Sequence, residues 1–360
     1  MIAGIRAWSR LDAMLALAAG VALLLALWQL ALATAGLDVV RAEVGRTPVT
    51  LYRPAAGGPA PVVVVAHGFA GSQQMMQPFA VSLARAGYVA VTFDFLGHGR
   101  NPVPLGGSLT EETGATRQLV AELERIVAFA RDLRVGDGRV ALLGHSMASD
   151  IVVRAAQADA RIAATVAVSM FAPGVTETSP RNLLVIVGAL EAEALKDEGA
   201  RVVGMVAGDA AVVPGTTYGS HADGSARRLV LASGAEHIGV LYAQDSLLAA
   251  RAWLDAVFAR RGDATAPVDA RGPWLGLLFA GLVLLARPLA HLLPVVARPP
   301  RGAALPWRRL VPVAVVPALL TPVLAVQLPT GLLPILLGDY LAVHFALYGA
   351  LTAIAAPING

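Results

Sequence analysis

Two kinds of hydrophobic pattern divide the chain. Over residues 14–35 the only polar side chains are Gln29 and Thr34, an apolar run of about the 20 residues a helix needs to cross the hydrocarbon core of a bilayer. Toward the other end three more apolar stretches follow, over residues 274–296, 310–328 and 332–356. Arg287-Pro288 interrupts the first and Pro312, Pro317 and Pro322 punctuate the second, so kinked or re-entrant helices fit as well as straight ones.

Between these ends short Val- and Leu-rich runs alternate with amphipathic ones, the pattern of a mostly parallel sheet covered by helices on both faces. Strands are predicted at 61–66, 89–94, 139–143, 164–169, 183–187 and 228–232, preceded by a pair at 39–44 and 47–52 with a turn at Gly45-Arg46. Leu119, Leu123, Ile126 and Ala130 follow the 3.6-residue period of one helix, and Leu241, Leu248 and Trp253 contribute to another. The expected organisation is an N-terminal membrane anchor over residues 1–37, an α/β domain over 38–265 and a C-terminal membrane region over 272–360.

Composition agrees with this division. Apolar residues make up 56% of the 360 positions and charged ones 15%, and the mean hydropathy is +0.64; ordinary soluble domains carry roughly 25% charged residues. Disorder is excluded, and lipid is the expected solvent of part of the chain. Cysteine is absent, which removes disulfides, Cys-ligated zinc and a Cys nucleophile. The net charge is +3, but the cationic residues are scattered or flank apolar runs, so nucleic acid is not an expected partner.

The cationic residues instead suggest an orientation. Arg6 and Arg10 precede the first apolar run, and Arg298, Arg301, Arg308 and Arg309 fill the gap between the next two. By the positive-inside tendency both positions are cytoplasmic, which puts the α/β domain of a multi-pass protein on the extracytoplasmic side. The competing reading of the first run is a cleaved signal peptide ending at Ala33-Thr34-Ala35. Asp339 and His344 fall inside the last apolar stretch, where ionisable groups either line a cavity, pair with one another or sit at an interface.

The chemistry is carried by Gly144-His145-Ser146-Met147-Ala148, at the end of a predicted strand and the start of the helical pattern Ile151-Val152-Val153. A sharp strand-to-helix turn strains the backbone at the Ser and lifts its hydroxyl clear of the sheet, and small neighbours let helix and strand approach. Further along, Gly188-Ala189-Leu190-Glu191 puts an acid after one strand and Glu236-His237-Ile238-Gly239 puts a His after the next. Glu193 and Asp209 compete with Glu191 as the acid. His221 competes with His237, but lies in a polar stretch where a solvated loop is expected.

With these motifs in this order the chain resembles the α/β-hydrolase superfamily, in particular its serine esterases and lipases, over about residues 47–260. The resemblance implies an α/β-hydrolase fold with a mostly parallel eight-stranded sheet and a catalytic triad of Ser146, His237 and Glu191. His67-Gly68-Phe69 is similar to the oxyanion loop of that family, which implies that the backbone N–H groups of Phe69 and Met147 form the oxyanion hole. Asp94-Phe95-Leu96-Gly97-His98-Gly99 matches a structural turn of the family. Where the family's Ser motif usually ends in Gly, this chain has Ala148.

The expected reaction is ester cleavage through an acyl-enzyme on Ser146 with His237 as general base, without metal or organic cofactor. The same groups would also serve an acyltransferase, and a non-catalytic binding protein on the hydrolase scaffold is a third reading. Many relatives carry a helical cap where this chain has only thirteen residues, Met170 to Asn182. An open site is expected, with apolar or lipid-like esters as substrates and the bilayer as the neighbouring surface.

Overall fold

The computed structural model describes residues 8–106, 112–208, 211–260, 266–293, 306–329, 333 and 336–359. These divide into two compact units, one of residues 29–274 and one of the residues up to 28 together with those from 275 onward.

After the helix α1 (Arg10–Leu32), the strands β1 (Leu37–Val44), β2 (Thr47–Pro54), β3 (Ala60–Ala66), β4 (Val89–Phe93), β5 (Gly136–His145), β6 (Ile162–Val168), β7 (Leu183–Gly188), β8 (Thr217–Tyr218) and β9 (Arg227–Ala232) form one sheet. Its order is β1-β2-β4-β3-β5-β6-β7-β9-β8. Neighbours from β4 across to β9 run parallel, while β1, β2 and β8 pair antiparallel. The described sheet has nine strands where eight were expected. The additional strand, β8, is two half-buried residues, too short to leave an alternating pattern in the sequence.

Because the central strands are parallel, helices cover both faces and the strands read as unbroken apolar runs. Alternate side chains of one strand serve two cores. Val63 and Val65 pack with Phe79 and Leu83 of α2 (Gln77–Arg85) and with Leu247 and Trp253 of a later helix over Gln244–Val257. Val62 and Val64 pack with Leu119, Leu123 and Ile126 of α3 (Arg117–Asp132) and with Ile151 and Val152 of α4 (Met147–Ala158). The predicted face of α3 is therefore the buried one. A third cluster joins Val202 and Val203 of α5 (Glu193–Ala207) to β7.

The face predicted for the last helix of this unit needs correction. That helix, α6 (Gln244–Val257), buries Leu247, Ala250, Trp253 and Leu254, whereas Leu241 belongs to a separate 3₁₀ turn, Gly239–Leu241. Starting the helix three residues late rotates the periodic count, so Leu248 is only half-buried.

The second unit takes in helices α1, α7 (Arg271–Ala290), α8 (Trp307–Ala325) and α9 (Gly338–Asn359). Among the described residues three helices, α1, α7 and α8, are long and apolar enough to cross a membrane. Leu17, Leu24 and Val283 are more than 70% exposed. The prolines at 288, 312, 317 and 322 lie inside single helices. Gly281 lets α7 approach α1, since a Cβ there would come within 2.9 Å of Leu23 Cγ. Arg287 Nε donates to Asp12 Oδ1 at 2.8 Å. Asp339 accepts the Leu333 N–H at 3.0 Å. Arg6, Arg298 and Arg301 lie outside the described residues.

Candidate active site

In an open parallel sheet, ligand sites form at the carboxyl ends of the strands where the strand order reverses. Here the chain leaves β3 for β4 on one side and returns to β5 on the other, so the loops after β3 and β5 are neighbours. Gly68, after β3, lies so close that a Cβ there would be 3.1 Å from Ser146 Cβ.

Ser146, between β5 and α4, has φ 53° and ψ −120°, a backbone region that L-residues occupy only when the surroundings enforce it. Its N–H donates to Val168 O at 2.8 Å, and its carbonyl accepts both the backbone N–H and the hydroxyl of Ser149, at 2.8 and 2.6 Å. These bonds hold the turn from both sides. The crossing leaves no room for a side chain at Gly144, where a Cβ would collide with the Ala148 carbonyl. Ala148 itself is fully buried, so the methyl group at this position is accommodated.

The hydroxyl of Ser146 donates to His237 Nε2 at 2.9 Å, and His237 Nδ1 donates to Glu191 Oε1 at 3.2 Å. Glu191 is 1% exposed and His237 44% exposed, by side chain. The two loops that carry them are laced together by backbone bonds from Ala189 N to Ala232 O and from Leu190 N to Ala235 O. Gly188 makes this approach possible, since a Cβ there would strike Ala235 O. Glu236 fixes the His loop by accepting the Ile238 N–H at 2.8 Å.

The competing side chains lie elsewhere. Glu193 is exposed and paired with Lys196 at 2.8 Å, Asp209 lies outside the described residues, and His221 packs against the Trp253 ring with centroids 4.6 Å apart. Phe69 and Met147 follow β3 and Ser146 respectively, and among the described residues neither amide donates to another protein group.

Around this line lie groups whose roles no sequence pattern announces. Ser169 Oγ donates to Glu191 Oε1 at 2.6 Å. His67, buried just after β3, donates from Nδ1 to Gly68 O at 2.8 Å and accepts the Phe95 N–H on Nε2 at 3.1 Å; burial pushes its pKa down. His145 donates from Nε2 to His237 O at 2.9 Å, and burial pulls its pKa down to about 4. The turn after β4 is organised by Asp94, which accepts the Gln73 N–H and side-chain amide at 2.8 and 2.9 Å.

No helix lies between β6 and β7. The connecting loop is pinned instead by Arg227, whose buried guanidinium donates to Thr176 O, Glu177 O and Val202 O; burial pushes its pKa down to about 10. Among the described residues no three His, Asp or Glu side chains gather in a metal-binding group.

Known proteins are similar to parts of this chain. Residues 57–212 match the family described as "Serine aminopeptidase, S33". Quorum-quenching protein AidA of Acinetobacter baumannii is 29% identical over 162 residues, 43% of this chain and 49% of that protein, so the chain spans about half the length of this relative. Among solved structures, a protein described as a dienelactone hydrolase from Klebsiella pneumoniae is 18% identical with a TM-score of 0.45, covering 62% of this chain and 98% of its own. A CIB-like hydrolase from Thermoplasma acidophilum is 13% identical with a TM-score of 0.46, covering 60% and 96%. The strand order, the strained turn at Ser146 and the match over residues 57–212 together give this chain an α/β-hydrolase fold.

Proposed function

We propose that this protein is a membrane-anchored serine hydrolase that cleaves apolar carboxylic esters through an acyl-enzyme. The observation that carries the reading is the unbroken hydrogen-bond line from Ser146 through His237 to buried Glu191, begun at a strained turn. His237 takes the Ser146 proton as Oγ attacks the ester carbonyl. The negative charge that develops on the carbonyl oxygen is met by the N–H groups of Phe69 and Met147, each such donor being worth about 3 kcal/mol in the barrier. Glu191 orients the imidazole and stabilises its protonated form. His237 then protonates the leaving alcohol, and water activated by the same imidazole releases the acid.

Two observations support an apolar substrate. Phe69, Phe171, Leu190 and Ile238 are each at least 43% exposed, and they follow the carboxyl ends of β3, β6, β7 and β9, the end of the sheet that also carries the Ser146, Glu191 and His237 loops. Among the described residues three helices are long and apolar enough to cross a membrane, which supports an enzyme held where apolar esters partition. The similarity to a quorum-quenching protein adds signalling molecules that contain an ester to the substrates worth assaying.

The test is labelling of the full chain in membranes by a fluorophosphonate, followed by assay of esters of graded acyl length with identification of the free acid. Wild type labels and Ser146→Ala does not, and turnover rises with acyl length. Equal labelling of both proteins refutes the nucleophile, and a preference for short soluble esters refutes the substrate class.

A further inference from the structure

Residues 145 and 146 grip one residue of another loop at two points. Ser146 Oγ reaches the His237 ring at 2.9 Å, while the neighbouring His145 reaches the His237 main chain, donating from Nε2 to its carbonyl at 2.9 Å. The two imidazole rings lie 4.9 Å apart and are tilted by 44°. The His237 side chain is 44% exposed, so packing covers only part of the ring and its place over Ser146 depends on hydrogen bonds, from Nδ1 to Glu191 and through the main chain of its loop.

We infer that His145 is a positioning residue: its Nε2–H, held on the carbonyl of His237, keeps the catalytic imidazole over Ser146. This inference rests on the Ser146–His237 reading given above. Three features make His145 suited to the role. It is 2% exposed, so the bond competes little with water. It shares a peptide bond with the nucleophile, so movement of the turn carries the clamp with it. It is also backed by the oxyanion loop, since a Cβ at Gly68 would lie 3.0 Å from His145 Nδ1. A carbonyl can only accept, which fixes the tautomer with the proton on Nε2. A purely space-filling role would need the ring but not this donor.

The test compares wild type, His145→Phe and His145→Gln as full chains in detergent. Phe keeps a flat ring of similar size without the donor; Gln places an amide N–H near the position of Nε2. Two readouts are followed, the rate at which a fluorophosphonate modifies Ser146, and kcat and KM on p-nitrophenyl butyrate. The Phe variant is expected to lose about tenfold in both labelling rate and kcat, the scale of one hydrogen bond to a buried group, with KM little changed. The Gln variant is expected to recover most of the loss. Wild-type rates in the Phe variant, or equal losses in Phe and Gln variants, overturn the inference. Absence of Ser146 labelling in wild type overturns the underlying reading as well, a pattern distinct from either of those.

Discussion

Ser169 donates its hydroxyl to Glu191 at 2.6 Å, on the same carboxylate oxygen that His237 meets at 3.2 Å. The acid is thus held from the β6 side as well as presented to the imidazole. Glu191→Gln keeps the shape but removes the charge that stabilises the imidazolium, and kcat should fall by roughly three to four orders of magnitude, the scale set by comparable triads. Ser169→Ala keeps the charge and removes one support, so its loss should be about tenfold. Steady-state kinetics on a soluble ester checks the order, and a Ser169→Ala variant as impaired as Glu191→Gln would contradict it.

The crossing of β5 and α4 gives a second prediction. A side chain at Gly144 has no space beneath the Ala148 carbonyl, so Gly144→Ala must spread the turn that strains Ser146. It should cost about 2 kcal/mol or more, within the range for overpacking, and abolish fluorophosphonate labelling. Ala148→Gly removes one buried methyl in the first turn of a helix, a loss of about 1 kcal/mol, and should label normally. Thermal midpoints and labelling rates of the two variants should separate in that order.

What the sequence revealed depended on the range of the interaction. Runs such as Val62 to Val65 disclose strands because parallel pairing buries both faces, and the Gly144 to Ala148 turn is legible because all its demands fall within five residues. Glu191 and His237 could be ranked by their places after strands, but only folding brings them to Ser146. Ser169, Arg227 and the second role of His145 carry no local signal, since each acts on backbone or side chains that are distant in sequence. The two-residue β8 and the true start of α6 at Gln244 were missed for the opposite reason: a period cannot be read from so few positions, and an error of three residues turns a helix face.

A pH dependence of stability follows from the buried histidines. In the folded chain burial holds His67 below its ordinary value and His145 at about 4, while in the unfolded chain both titrate near 6.5. Between those values the unfolded state binds more protons, so stability rises with pH and is lost as pH falls from about 6.5 toward 4. Each unit of difference is worth about 1.4 kcal/mol per group. His145→Gln removes one of these contributions, so the urea midpoint of that variant should fall less steeply over this window than that of wild type. Parallel slopes would show that His145 takes up its proton in the folded state as readily as in the unfolded one.

The helical unit offers a test in an apolar setting. Asp12, 1% exposed by side chain, accepts from Arg287 at 2.8 Å and from Ser9, with His291 Nε2 at 3.4 Å, whereas the Arg287 side chain is 58% exposed. The pair is therefore lopsided. Arg287→Ala takes the guanidinium from a buried carboxylate, but Asp12→Ala leaves a cation whose side chain is already 58% exposed. Arg287→Ala should lower the thermal midpoint in detergent more than Asp12→Ala does. In the double variant no carboxylate is left to strand, so its midpoint should return close to that of Asp12→Ala rather than add the two losses. Strict additivity would mean that the two side chains contribute independently, and that the contact between α1 and α7 owes its stability to the close approach at Ala19, Leu23 and Gly281 instead.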